Sequence, residues 1–269
     1  MNNIILKAKG VRTISREESI NLQIPQATAS YCPISNNEIM QTTLEQLDKN
    51  GFSVKSEFHK CDGSRQKFVG GFIISGGNRE MDIMFGYKNS YDRSMSAAFA
   101  LGANIMICSN SVVTGEVSMI RKHTGTANQI LTYGISEGIK QLGDNFINIE
   151  KQLERMKEIE VSKRICAELV GRLYLEEEII TSHQLSAIKG ELLLESFDYG
   201  VKDSLYNLYQ AVTHSMKSSH PRTFLNDHID AHRFFNEQAG IIISPKIIIP
   251  EPEGPFKQLD LFEELYNGE

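Results

Sequence analysis

The sequence predicts an α+β fold: an antiparallel β-meander covered by helices, then a mostly helical second half and an extended C-terminal tail. Three observations predict it. Residues 52–88 hold three runs of strand character, separated by the breaks Asp62-Gly63 and Gly76-Gly77-Asn78. Residues 150–240 carry apolar positions at helical spacing among charges. After Gly240 the run IIISPKIIIPEPEGPF is punctuated by prolines, which suits extended chain and not a central strand.

In chain order, residues 36–49 place Ile39, Met40, Leu44 and Leu47 on one helical face, with Asn50-Gly51 as the stop. Residues 52–58 alternate, with Phe52, Val54 and Phe58 opposite Ser53, Lys55 and Glu57. Residues 66–75 put Phe68, Phe72 and Ile74 in phase, and residues 80–88 do the same with Ile83, Phe85 and Tyr87. The small residues of SMSAAFALGA (94–103) suit a helix lying close on the sheet, and NIMICS (104–109) reads as a short buried strand. Residues 150–178 read as one long amphipathic helix or two in series, and helices 204–216 and 224–240 flank the break at Ser219-His220-Pro221. The expected divisions are 1–125 (sheet plus helix), 126–240 (helices packed on it) and 241–269 (linker and acidic tail).

The chain has 269 residues, a formal net charge of −6 and 41% hydrophobic residues. That composition excludes disordered, collagen-like and coiled-coil classes. The charge is uneven: residues 1–125 carry 14 Lys+Arg against 11 Asp+Glu, while residues 251–269 hold six acids and one lysine. No window approaches a membrane span and the N-terminus lacks a signal-peptide run, so the expected location is the cytoplasm of the cell that makes it. Cys32, Cys61, Cys108 and Cys166 are far apart without a CxxC pair, arguing against a disulfide framework or zinc knuckle.

The sharpest motif is Gln258-Leu259-Asp260-Leu261-Phe262. It resembles the pentapeptide by which bacterial replication and repair proteins bind the DNA sliding clamp. A tethered peptide of this kind delivers two apolar anchors to a pocket on its partner. The alternative is a terminal amphipathic helix docking through Leu261, Phe262 and Leu265.

A second feature is a basic array: Lys55, Lys67 and Lys88 fall on strand faces opposite the phenylalanines, Arg65 and Arg79 lie in or beside turns, and Arg93, Arg121 and Lys122 follow. These eight are candidate phosphate contacts for a single strand, with Tyr87 or Tyr91 available for stacking. The competing reading is an ordinary solvated sheet face, interleaved with Glu57, Glu80 and Asp82. Residues 89–94 read as a strand-to-helix passage in which Ser90 or Asp92 caps the helix. His214, His220, His228 and His232 cluster in one stretch, and His228 and His232 share a helical face; packing outweighs a divalent site there, since no HExxH pattern accompanies them. No Gly-x-Ser-x-Gly elbow or P-loop is present, so no enzymatic role, cofactor or metal is called for.

Two runs, Asn89 to Ser94 and Cys108-Ser109-Asn110, together with SLYNLYQAVTH (204–214), resemble the phage/plasmid family called domain of unknown function 932. The likeness covers roughly residues 35–235 by scattered motifs, with Gln210 where that family usually has Asn, and it implies a mobile-element origin. The helix, meander and covering helix are more distantly similar to single-strand annealing recombinases, which assemble into rings or filaments and hold one strand in a basic groove. The combined expectation is a protein that binds single-stranded DNA, promotes annealing or recombination at the replication fork, forms a homo-oligomer and reaches the sliding clamp through its tail. The alternative is a host-takeover or anti-defence protein that binds a host protein such as the clamp and never touches DNA.

Overall fold

A computed structural model describes residues 10–106, 110–123, 125–194, 197–241 and the backbone at 247–248. The order of elements is β1 (Val11–Ile14), α1 (Arg16–Ile20), α2 (Asn36–Lys49), β2 (Val54–Asp62), β3 (Lys67–Ile74), β4 (Met81–Ser90), β5 (Ala97–Ile105), β6 (Asn110–Arg121), α3 (Ala127–Lys140), α4 (Leu142–Lys157), α5 (Lys163–Leu175), α6 (Ser182–Leu194), α7 (Leu205–Ser215), a 3₁₀ turn at Met216–Ser218, α8 (Phe224–Gln238) and β7 (Ile247–Ile248). The seven strands form one sheet in sequence order. Each neighbouring pair from β1 to β6 is antiparallel, and β7 joins the edge of β6 in parallel at Val117 and Ser118. The expected α+β meander is therefore present and longer than its three expected strands.

The largest departure lies at 94–103. The segment expected to be a covering helix is strand β5, paired along its length with β4 and β6. Its alanines and glycine favour close packing in either geometry, and burial decides between them: residues 97–103 are buried throughout, as a central strand covered on both faces requires. Asn104 and Ile105 finish β5, Met106 turns, and the rest of the strand expected at 104–109 lies outside the described residues. Strand β6 carried too many polar residues to stand out, and its register shifts opposite Ala100–Gly102. Gly102 is required there, because a Cβ would lie 2.0 Å from the Val112 carbonyl oxygen.

Residues 150–178 form parts of two helices, α4 and α5, broken at 158–162. Ser35 and Ser162 cap α2 and α5 by accepting from the backbone amides of Glu38 and Ile165. One sheet face presents Phe72, Phe85, Tyr87, Phe99 and Leu101 to α2, α3, α4 and α7, in a core continuous from the sheet to Ile139, Leu153 and Tyr209. The opposite face is thinner: Val69, Ile73, Met84, Ala100 and Val113 meet Phe224 and Leu225 of α8. No helix among the described residues is long and apolar enough to cross a membrane.

Candidate nucleic-acid interface

Antiparallel pairing brings alternate strand ends to one edge of the sheet. The register places Arg12 beside Cys61, Lys67 beside Ser90 and Arg121 beside Ala97. The β2–β3 and β4–β5 loops, which carry Arg65 and Arg93, are joined at this edge by a bond from the Tyr91 amide to the Gln66 carbonyl, 2.8 Å. Arg12, Arg65, Lys67, Arg93, Arg121 and Lys122 therefore share one end of the sheet. Lys55 and Arg79 do not join them: they sit at the far end, where Lys55 bonds Asp82 at 2.7 Å. Seven of the eight expected contacts thus divide between two ends, and Arg12, absent from the expectation, joins the larger group.

Two carboxylates bond within this basic end. Lys67 Nζ lies 2.5 Å from Asp92 and 3.6 Å from Asp62. Burial pushes the Asp92 carboxyl up, but the bonds from Lys67 and Ser94 outweigh it and hold the group at about 2. Arg65 and Arg93 have φ of 57° and 64°. For a side chain larger than Asn or Asp this left-handed conformation carries a cost, which Gly would avoid. Both arginines are nonetheless exposed, and the Arg93 guanidinium lies 4.4 Å from the centre of the Tyr31 ring.

Lys88 takes a different position. It shares a sheet face with Lys67, as the alternation predicts, but is 7% exposed beneath α8, with Nζ donating to Asn226 Oδ1 at 2.8 Å. Burial lowers its pKa, countered in part by Asp227. Asp227 is itself pushed up to about 6 by burial, against bonds from Ser219 and Thr223. Lys60, Lys217 and Arg222 lie on the same side; Lys60 Nζ donates to the Lys217 carbonyl at 3.2 Å. Lys60, absent from the expected contacts, joins this row through the pairing of Lys60 with Val69 and of Val69 with Lys88.

The tyrosines named for stacking are interior. Tyr87 is 1% exposed with its hydroxyl 3.0 Å from His59 Nδ1, and Tyr91 is 4% exposed with its hydroxyl accepting from the Asn36 amide at 3.0 Å. Residues 89–94 do not lead into a helix; they end β4 and turn into β5. Asn89 Nδ2 donates to Ile34 O and Asn36 Oδ1, Ser90 Oγ exchanges bonds with the Met95 backbone, and Asp92 accepts from the Ser94 amide and hydroxyl. The run knots the turn to the start of α2, so its polar residues serve as architecture.

The histidines are also packed. His232 Nδ1 lies 2.9 Å from the Tyr209 hydroxyl and Nε2 lies 2.8 Å from Gln152 Oε1, while the His228 ring packs edge-on against Phe224. Among the described residues no group of three His, Cys, Asp or Glu side chains is placed to hold a metal. The motif at 258–262 (Gln258, Leu259, Asp260, Leu261, Phe262) lies outside the described residues.

Compared with known proteins, the chain matches no family profile, no curated protein and no solved structure. The phage/plasmid likeness stands on its quoted motifs alone.

Proposed function

We propose that the chain binds single-stranded DNA across the basic end of its sheet and promotes annealing or recombination at the replication fork, as a phage- or plasmid-type protein brought to the sliding clamp by residues 258–262. The observation that carries this reading is the convergence of Arg12, Arg65, Lys67, Arg93, Arg121 and Lys122 on one sheet end from four separate segments. A row of cations of this kind tracks a phosphate backbone without reading sequence. Two of them occupy backbone conformations better suited to glycine, which favours a role for the arginine side chain itself.

A second reading, a clamp-directed protein that does not touch DNA, draws support from Lys55 and Lys67, whose charges are already engaged by Asp82 and by Asp92 with Asp62. Fluorescence anisotropy of a labelled single-stranded oligonucleotide at low and moderate salt separates the two. The annealing reading expects salt-sensitive binding that favours single strand over duplex, together with a large ring-sized species on gel filtration. Absence of binding at low salt would move the assignment to the clamp-directed protein.

A further inference from the structure

The thin face of the sheet contains a cleft of about 100 Å³ between β4–β6 and α8, lined by Lys88, Ala98, Ala100, Ser118, Ile120 and Asp230 among others. Its existence follows from side-chain size. Ala98, Ala100 and Ser118 fill little space on the sheet, while Gly86 beside them lets α8 come close: a Cβ there would lie 3.2 Å from Leu225 Cδ2. The helix is held against the sheet by Phe224 and Leu225, and the space beyond them stays open.

Three features of the cleft point to a ligand. Lys88 is buried at its wall, and an ammonium has three donors; among the described residues Asn226 is its hydrogen-bond partner, so donors remain for an incoming acceptor. Asn226, bonded to Lys88, and Asp230, one helical turn further along α8 and ion-paired with Arg233, bring oxygens to the same cleft. At the rim, Ile120 is 59% exposed, an apolar side chain standing in solvent directly before Arg121 and Lys122. A donor beside acceptors, over a small apolar floor, matches the mixed hydrogen-bonding edge and flat face of a single six-membered nucleobase ring. A closed apolar cavity of roughly 150 Å³ takes one benzene, so this cleft of about 100 Å³ seats the inner edge of such a ring and leaves the rest at its mouth.

We propose that this cleft receives one unstacked pyrimidine base of the bound strand, with Ile120 as the wedge, Ala98 and Ser118 beneath the ring, and Lys88 with Asp230 at its polar edge. The inference rests on the single-strand reading above and adds a base contact to it: Ile120 is two residues, roughly 6.6 Å of strand, from Lys122, so phosphates at the basic end and a base in the cleft belong to one path.

The test compares binding of oligothymidine with that of the same backbone made abasic, for the full chain and for Ile120→Ala and Ala98→Leu. Ile120 is exposed, so its variant keeps the fold even where the filled cleft of Ala98→Leu disturbs it. The proposal expects the intact protein to prefer the base-bearing strand by about tenfold, in line with single-base stacking, and expects Ile120→Ala to erase that preference without changing the salt dependence. Equal affinity for the two strands, or a preference untouched by Ile120→Ala, overturns the cleft while leaving the phosphate contacts standing. Failure of both strands to bind at low salt overturns the cleft together with the single-strand reading on which it rests.

Discussion

Asn110 Nδ2 donates to Gln210 twice, to its backbone carbonyl and to its side-chain Oε1, at 3.0 Å each. Both residues are fully buried, and the pair joins the first residue of β6 to the middle of α7 across a separation of 100 residues. Asn110 and Gln210 come from two of the runs that suggested a phage/plasmid likeness, and these two residues meet in space. Their shared task is to fasten the helical half to the last antiparallel strand.

Asn110→Ala is therefore expected to lower stability by about 1–3 kcal/mol, because it leaves the Gln210 acceptors buried without this donor. The midpoint of a urea titration should fall while its slope is unchanged. An unshifted midpoint would mean that the seam between β6 and α7 does not depend on this pair.

Arg65→Gly separates architecture from function. Relief of the left-handed backbone, worth about 1–2 kcal/mol, opposes an unfolded-state entropy cost of about 0.4–1 kcal/mol. The melting temperature should hold or rise slightly. Affinity for single-stranded DNA should fall, and its salt slope should shrink by about 0.7 for one lost phosphate contact. Unaltered binding would remove Arg65 from the interface.

Acid should unfold this protein by a route written into α7 and α8. Burial pulls His228 and His232 down to about 3, and burial with the Lys217 charge pulls His214 to about 4. The unfolded chain takes up these protons near pH 6.5 and the folded one does not, so stability is full above that pH and is lost as pH falls toward 3–4. Each ring contributes about 1.4 kcal/mol per pH unit. Asp227 acts in the opposite sense: its carboxyl, raised to about 6, favours the fold below pH 3.8 and loses that contribution as pH rises through 6. Three rings outweigh one carboxyl, so denaturant midpoints should drop from pH 7 to pH 5. His232→Gln should flatten that drop, and a flat profile in the parent protein would contradict the burial of these rings.

Deletion of residues 251–269 should abolish binding to a purified bacterial sliding clamp and leave oligonucleotide affinity within about twofold, since the deleted segment is acidic and holds none of the proposed phosphate contacts. Clamp binding that survives the deletion would place the contact elsewhere.

What the sequence shows plainly is local. Helix α2 with its asparagine stop, helices α7 and α8 around Pro221, and the alternation that puts Lys67 and Lys88 on one face all follow from periodicity and breakers within a few residues. What it conceals depends on partners distant in the chain. Ala97–Ala103 carries the composition of a helix and becomes a strand because neighbours cover both of its faces. The division of the basic residues between two sheet ends requires the strand order, and the burial of Lys88 requires α8, more than 130 residues later. Tyr87 and Tyr91 look available for stacking until His59 and Asn36 occupy their hydroxyls.

The parallel pairing of Ile248 with Ser118 fixes the point of the sheet from which the chain runs on toward residues 258–262. Ser118 lines the cleft beneath α8, and Gln258 follows Ile248 by ten residues, a length that reaches no more than about 35 Å when fully extended. Any partner that grips Gln258 is thereby held within about that distance of Ile248. On the proposed reading, a clamp held by residues 258–262 and a strand held at the sheet would therefore be close neighbours, with a spacing bounded by the chain between them.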